Sequence, residues 1–146
     1  MKKTDRLLFI LICILAAGCQ GSHRTGKDTQ RTHVSLLPGT VIAKDSMPVK
    51  EDKLNNFTFG ITVSADSDVA NGVYNIKVNY EYHTEQGQFT MPEEIKNVRP
   101  LLRRADQPYT YIIGFKITGD TTFYDYYQVK ATSSSIRMEY IKGYTF

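Results

Sequence analysis

Apolar and polar side chains alternate along most of the chain between residues 57 and 140. Successive side chains of a β-strand point to opposite faces of a sheet, so a period of two predicts strands with one buried face. The apolar positions are rich in aromatic and β-branched residues, which favour strands. The alternating rows are 57–63, 74–82, 109–117, 123–129 and 136–140. Residues 34–44 form a weaker candidate strand, interrupted by Pro38 and Gly39.

Turn-forming residues separate the rows at 66–72, 85–88, 118–121 and 132–135. The first segment contains Asn71-Gly72, a dipeptide that is common in tight turns, and the second contains Gly87 between two candidate strands. Six or seven short strands over residues 34–146 predict an all-β domain. We expect a two-sheet antiparallel β-sandwich of the immunoglobulin or transthyretin type.

Residues 92–106 break the alternation. Pro92 followed by two glutamates is typical of the first turn of a helix, where proline is tolerated and acidic side chains oppose the helix dipole. Ile95 and Val98 have the spacing of one helix face, but Pro100 disfavours a helical residue before it. The sequence therefore predicts one short helical crossover that leads from one sheet to the other.

The chain begins with a charged segment that carries Lys2, Lys3 and Arg6. Residues 7–18 then form an uninterrupted run of apolar and small side chains. A helix over this run would extend about 18 Å, whereas the apolar core of a bilayer is about 30 Å thick. A buried core helix would show a polar face, and this run has none. Residues 1–18 are therefore predicted to be a secretory signal peptide.

The motif LAAGC at residues 15–19 resembles the lipobox of bacterial lipoproteins, with Ala16 where leucine is commonest. The resemblance implies that the signal peptide is cleaved before Cys19, which then carries lipid and begins the mature chain. Gln20 stands where aspartate would imply retention at the inner membrane in enteric bacteria. The resemblance therefore implies an anchor in the outer membrane.

Residues 20–32 contain polar residues and glycine and no larger apolar side chain. Such a composition predicts a flexible segment that spans at most about 45 Å and on average nearer 20 Å. We expect residues 19–33 to be a lipidated tether and residues 34–146 to be the folded domain.

Composition argues against several classes of protein. Two cysteines and three histidines are too few for a disulfide-stapled scaffold or a multi-cysteine zinc module. The formal charge of +3 is too small to indicate nucleic-acid binding. No phosphate-binding loop, nucleophile elbow or zinc-protease motif occurs. We therefore expect a protein without metal or cofactor, which acts by binding and is not an enzyme.

Asp66, Ser67 and Asp68 resemble the start of a calcium-binding loop. Such a loop needs glycine at its sixth position and glutamate at its twelfth, and these positions hold Asn71 and Lys77. A local turn, held by aspartate and asparagine side chains, is predicted instead.

Two tyrosines are candidate partner-binding residues. The alternation places Phe123 and Tyr127 on the buried face, so Tyr124 and Tyr126 are predicted to point outward. Exposed tyrosines anchor protein partners or stack on sugar rings. The alternative is that another surface of the same domain covers them.

A basic cluster contains Lys96, Arg99, Arg103 and Arg104. It is a candidate surface for an acidic partner or for anionic lipid, and the three arginines are the candidate binding residues. The alternative is a solvated loop whose charge is partly balanced by neighbouring acids.

The lipobox, the length of the mature chain and the number of strands together resemble the small β-sandwich lipoprotein of type VI secretion membrane complexes. This resemblance implies a protein partner in the envelope and a periplasmic docking role, which tethers a trans-envelope complex to the outer membrane. Three alternatives stay open. One is a surface lipoprotein that binds a glycan or peptide through Tyr124 and Tyr126. Another is a periplasmic immunity or inhibitor protein, and the last is an envelope hydrolase.

Overall fold

The computed structural model describes residue 33 and residues 35–50, 54–95 and 97–144, which contain eight strands and one short 3-10 helix. The strands are β1 (Val41–Pro48), β2 (Thr58–Ala65), β3 (Val73–Tyr80), β4 (His83–Thr90), β5 (Leu101–Arg104), β6 (Thr110–Phe115), β7 (Tyr124–Thr132) and β8 (Ser135–Tyr140). The 3-10 helix is Val69–Asn71. No helix in these ranges is long and apolar enough to cross a bilayer. The predicted signal peptide, Cys19 and the tether up to residue 32 lie outside the described residues.

Each sheet is an antiparallel meander of four consecutive strands. The first sheet has the order β1-β2-β3-β4 and the second has the order β5-β6-β7-β8. The two sheets pack face to face around one core, which confirms the predicted all-β, two-sheet sandwich. The strand order differs from the Greek key of immunoglobulin sandwiches, because here each sheet is completed before the chain crosses to the other.

The inward faces are formed largely by the apolar rows that the alternation predicts. Every second side chain of β2 and β3 is buried, and both faces of β6 are buried. The largest fully buried side chains include Tyr74, Tyr111, Phe59, Phe89, Phe115, Ile61, Ile76 and Met91. Because these residues come from both sheets, the core lies between them.

The turn between β3 and β4 lies earlier in the chain than the sequence predicts. Tyr80 pairs with His83, so the turn consists of Glu81 and Tyr82, and segment 85–88 lies inside β4. Gly87 marks a close contact and not a turn, since a Cβ atom there would lie 3.1 Å from the sulfur of Met138. Tyr82 is therefore not a core residue of the strand but is exposed in the turn.

The predicted helical crossover is a crossing segment without a helix in its described residues. One turn is present, in which the N–H of Ile95 donates to the carbonyl of Pro92. Residues 101–104, which fall within the predicted crossover, form strand β5. Met91, Ile95 and Val98 are buried, so the segment covers one end of the core.

The meanders place the connections at two opposite ends of the sandwich. Four of the six hairpin loops, at residues 49–57, 81–82, 105–109 and 133–134, share one end, here called the hairpin end. The opposite end holds the other two hairpin loops, at residues 66–72 and 116–123, together with the crossing segment and the start of β1, and is here called the His33 end. His33 is buried against Gly72 there, where a Cβ atom would lie 2.7 Å from the imidazole Nε2.

Candidate functional site

A bulge in β7 determines where its tyrosines point. The pairing of β6 with β7 shifts between Ile113 and Gly114, which leaves Tyr126 as an extra residue. One extra residue exchanges the two faces of a strand for all residues beyond it. Tyr124 consequently pairs with Phe115 and shares its inner face. The prediction that Tyr124 points outward is therefore wrong.

Tyr124 is half-buried among aromatic rings. Its ring stacks on Phe115 at a centroid distance of 5.5 Å and meets the edge of Tyr144 at 5.4 Å. The Tyr124 hydroxyl donates to a carboxylate oxygen of Asp120 at 2.7 Å. This hydrogen bond, with those from Thr122, lowers the pKa of Asp120 to about 2. Tyr124 thus holds the β6–β7 connection against the core.

Tyr126 is also engaged within the domain. Its hydroxyl donates to the carbonyl of Thr90 at 2.9 Å, and the Tyr140 hydroxyl accepts from the N–H of Thr90 at 3.0 Å. Burial, more than the neighbouring Tyr140 and Glu94, raises the pKa of Tyr126 to about 12. The alternative, in which another surface of the domain covers the two tyrosines, is the arrangement observed. Their role as partner anchors stays a prediction.

Arg103 lies on the outer face of the second sheet. Its guanidinium contacts both carboxylate oxygens of Asp125, at 2.7 and 2.9 Å, and lies 5.4 Å from the ring centre of Phe123. Phe123 is thus on the outer side of the bulge, and not on the inner face that the alternation predicts. The ion pair is about 40% exposed on both partners, so its contribution to stability is small.

Arg104 links the two sheets along the β1/β5 side. Its Nε and one terminal nitrogen donate to the two carboxylate oxygens of Asp45, at 2.7 and 2.8 Å. The same terminal nitrogen donates to the carbonyl of Ser46 at 2.8 Å. The hydrogen bonds from Arg104 are the main reason that the pKa of Asp45 is lowered. Arg104 is therefore committed to an intramolecular contact.

The predicted residues do not form one site. Arg99 is exposed on the crossing segment. Burial raises the pKa of Tyr74, and the positive charge of Arg99 only partly opposes this shift. Arg103, Arg104 and the tyrosine pair lie on different sides of the sandwich. A single binding surface made of all five residues is therefore not formed.

Two clefts flank Tyr109 at the hairpin end. One, of about 420 Å³, lies between the end of β1 and the β5–β6 loop and includes Lys50 and Arg104 in its walls. The other, of about 410 Å³, lies against Lys130 and Thr132. Sequence reasoning placed Tyr109 in a strand and missed its position between the clefts.

Tyr109 is held there in a rare backbone conformation. Its φ is 47°, in the left-handed region of backbone conformation that residues other than glycine rarely adopt. Its hydroxyl accepts from the N–H of Lys50 at 2.8 Å, and its ring meets Tyr80 at 5.4 Å. Strained residues of this kind persist where the surroundings hold them, and they cluster at functional sites.

An exposed aromatic side chain lies at the same end. Tyr82 is 82% exposed and contacts Phe57 edge-on, with ring centres 4.6 Å apart. Leu54, in the β1–β2 loop, is 96% exposed. These apolar side chains belong to two adjacent hairpin loops, and no motif in the sequence identifies them.

The outer face of the first sheet is polar and largely uncharged. A groove of about 610 Å³ is lined by Ser64, Asn75, Lys77, Gln86 and Gln88. The amides of Asn75 and Gln88 are hydrogen-bonded to each other, and both donate to Asp66. The amide groups are therefore fixed in orientation above the sheet.

Asp66 stabilises a turn, as the sequence predicts. One of its carboxylate oxygens accepts from the N–H of Asp68, and the other accepts from Asn75 and Gln88. The N–H of Asp68 is the main cause that lowers the pKa of Asp66. Within the described residues, no group of three or more histidine, cysteine or acidic side chains is placed to hold a metal ion.

Searches with family models, against curated proteins and against solved structures yield no significant match to this chain.

Proposed function

We propose that the chain is a lipid-anchored protein of the cell envelope that docks a trans-envelope, type VI secretion-like complex at the outer membrane, on its periplasmic side. The observation that carries this proposal is the lipobox-like motif at residues 15–19, followed by a short polar segment and a β-sandwich. Acyl chains on Cys19 would hold the domain at a membrane, because each buried methylene contributes about 0.8 kcal/mol. Binding, without a catalytic group, is sufficient for this role.

The topology supports such a role. His33, the first described residue, lies at one end of the sandwich, and β1 leads away from there. Four of the six hairpin loops project from the opposite end. The hairpin end therefore offers most of the loops to a partner.

The hairpin end also has the chemistry of a binding surface. Tyr82 offers a large aromatic area to solvent, and tyrosine is enriched at the centres of protein interfaces. The clefts on both sides of Tyr109 provide concave surface next to it. We infer that the partner contacts the Tyr82 turn and at least one of these clefts.

Site-specific photocrosslinking in cells of the native host tests this proposal. A photoreactive residue at position 82 is expected to capture a component of the membrane complex, identified by mass spectrometry. The matched control is position 142, which is exposed at the His33 end. Equal capture from both positions would contradict the assignment of the hairpin end.

The anchor is tested separately. Cys19→Ser is expected to move the protein from the membrane fraction to the soluble fraction and to leave residues 1–18 uncleaved at this site. Mass spectrometry of the wild-type protein is expected to find lipid on Cys19. An unmodified Cys19 in the mature protein would overturn the anchored role.

Glycan binding is the second candidate function, and the groove over Asn75 and Gln88 favours it. Amide groups donate and accept hydrogen bonds at once, which suits the hydroxyls of a neutral sugar. Titration with a neutral oligosaccharide such as chitotetraose is expected to shift the side-chain amide NMR signals of these two residues. Asn75→Ala should abolish the shift at Gln88, whereas Gln128→Ala, on the second sheet, should not. Unchanged signals at millimolar sugar would exclude this function.

A further inference from the structure

Among the residues that the structure describes, no strand pairs with the outer edge of β4, and most of the backbone hydrogen-bonding groups along this edge have no partner. The N–H of Met91 donates to the carbonyl of Gly72. This bond lies just beyond the facing residues Val73 and Thr90, which therefore form a pair without hydrogen bonds to each other. Such pairs alternate with bonded pairs along an antiparallel ladder. The N–H and C=O groups at every second residue, namely Thr84, Gln86, Gln88 and Thr90, therefore point away from β3.

The end of this edge is already occupied. The hydroxyls of Tyr126 and Tyr140 bind the C=O and the N–H of Thr90. The corresponding backbone groups of Gln86 and Gln88 have no such partner among the described residues. Two tyrosines thus occupy the position that a neighbouring strand would take beside Thr90, and the rest of the edge stays open.

The other three edges carry features that oppose strand addition. β1 has a pairing irregularity between Val41 and Ala43 and ends at Pro48. β5 is four residues long and carries two arginines, and β8 carries Arg137 and Glu139. β4 has eight residues, and it contains neither proline nor lysine nor a pairing irregularity. Proteins usually protect edges that must not pair, and the one such feature of β4 is Glu85, whose pairing partner Val78 faces the core.

An apolar row beside β4 is incompletely covered. Ile136, Met138 and Tyr140 of β8 pair with inward-facing residues of β7, so they point towards the first sheet. They are half-buried or exposed, and Tyr140 is 54% exposed. Gly87 lies opposite Met138 and has no side chain to cover it. A further strand alongside β4 would place alternate side chains over this row.

We propose that the free edge of β4 binds an extended segment of another protein as a fifth strand of the first sheet. The segment pairs with Thr84, Gln86 and Gln88 and carries apolar side chains on its inner face, over the β8 row. Its outer face carries uncharged polar side chains, to match Gln86 and Gln88. This site runs along the edge of the sheet from Thr84 onward and does not depend on the lipid anchor.

Two other occupants, a second copy of β4 and the polar segment at residues 20–32, fit this edge less well. A second copy of β4 would bring Glu85 and Gly87 to the inner face, and these would place a charge or no side chain over the apolar row. Residues 20–32 contain no apolar side chain larger than glycine that would cover the row. The chemistry therefore favours a strand with alternating apolar residues from a different protein.

A synthetic peptide tests strand addition directly. The probe is a short, blocked peptide that alternates valine and threonine between terminal lysines, added to the full-length protein in mild detergent. Hydrogen exchange followed by NMR is expected to slow at least about tenfold at the amides of Gln86 and Gln88 when the peptide saturates. The same peptide, N-methylated at its threonines, is expected to have no effect, because the threonine N–H groups face β4 when the valines lie over the β8 row.

A matched pair of variants identifies the edge. Gln86→Pro removes an N–H that does not bond β3, so β4 should stay paired while peptide affinity falls at least about tenfold. Gln86→Ala keeps the N–H and should bind as the wild type does. Unchanged exchange at millimolar peptide, or equal protection by the N-methylated peptide, would overturn the proposal. Should Gln86→Pro unfold the domain, the comparison of the two peptides decides alone.

Discussion

Tyr126 donates its hydroxyl hydrogen to the backbone carbonyl of Thr90 at 2.9 Å, and this bond joins β7 of one sheet to the edge of β4 in the other. Tyr140 accepts the N–H of the same residue, so two side chains replace a neighbouring strand there. On the opposite side of the sandwich, Arg104 and Asp45 join β5 to β1. The two sheets are therefore linked by polar contacts along both sides of the core.

Removing one hydroxyl should weaken this link measurably. Tyr126→Phe keeps the ring and loses the hydrogen bond to Thr90, so the free energy of unfolding is expected to fall by about 1 kcal/mol. Denaturant unfolding measures this change. Tyr82→Phe, at an exposed position, is the control and should change stability by less than about 0.5 kcal/mol. Equal effects of the two substitutions would contradict the structural role of Tyr126.

Tyr124 should behave as a core residue. Tyr124→Ala removes ring contacts with Phe115 and Tyr144, so a loss of about 2–4 kcal/mol is expected. Tyr82→Ala removes an exposed ring and should cost far less. Thermal unfolding of both variants provides the comparison. A fully stable Tyr124→Ala variant would restore Tyr124 as a candidate for an exposed anchor.

Two glycines with the same backbone conformation allow the contact with His33 to be measured. Gly39 and Gly72 have φ angles of +80° and +81°, but a Cβ atom added at Gly39 would meet nothing within 4 Å, whereas one added at Gly72 would meet the imidazole of His33. Gly39→Ala should therefore show the backbone cost alone, roughly 1–2 kcal/mol. Gly72→Ala should cost at least about 1 kcal/mol more, because the imidazole has to move. Equal losses would show that His33 is not seated against Gly72.

Stability should depend on pH through His33. Burial lowers the pKa of His33 below its ordinary value of 6.5, and the backbone of Val98 and the negative charge of Glu93 act in the opposite direction. The unfolded chain therefore binds the proton more readily than the folded chain. The free energy of unfolding is expected to fall as the pH drops through 6.5 towards the lower pKa of the folded state.

Substitution of the histidine tests this pH dependence. His33→Gln should reduce the change in unfolding free energy between about pH 7 and pH 5, since the titrating group is removed. His83→Gln, at an exposed residue of β4, is the matched control and should leave the change as it is in the wild type. A pH profile that is identical in all three proteins would contradict the buried, neutral state of His33.

The strands could be predicted from the sequence because the alternation of apolar and polar residues depends only on residues that are close in the chain. Alternation places Phe59, Ile61 and Val63 on one face whatever the neighbouring strand is, and the structure buries all three. The two-sheet arrangement follows from the number of such rows. The strand order cannot be derived from these rows. It depends on which strand edges pair, and this pairing produces no periodic pattern in the sequence.

The failures come from contacts between distant segments. The sequence around Gly87 predicts a turn, but in the structure the missing side chain of Gly87 makes room for Met138 of the other sheet. The bulge at Tyr126 reverses the face of Tyr124, and a bulge has no fixed sequence signature. The candidate site was therefore less predictable than the fold, since its orientation depends on one inserted residue.

The meander order also bears on how quickly the domain reaches its native state. Each strand of a sheet pairs with its neighbour in the chain, so both sheets assemble from contacts of small sequence separation. Folding rates rise as the average sequence separation of native contacts falls. A Greek-key sandwich of the same size has to bring remote strands together before its sheets exist. In this chain, each sheet can form before the two sheets pack together, so contacts between remote segments are needed only in the last step. This order favours rapid folding, and strand edges are exposed for a shorter time.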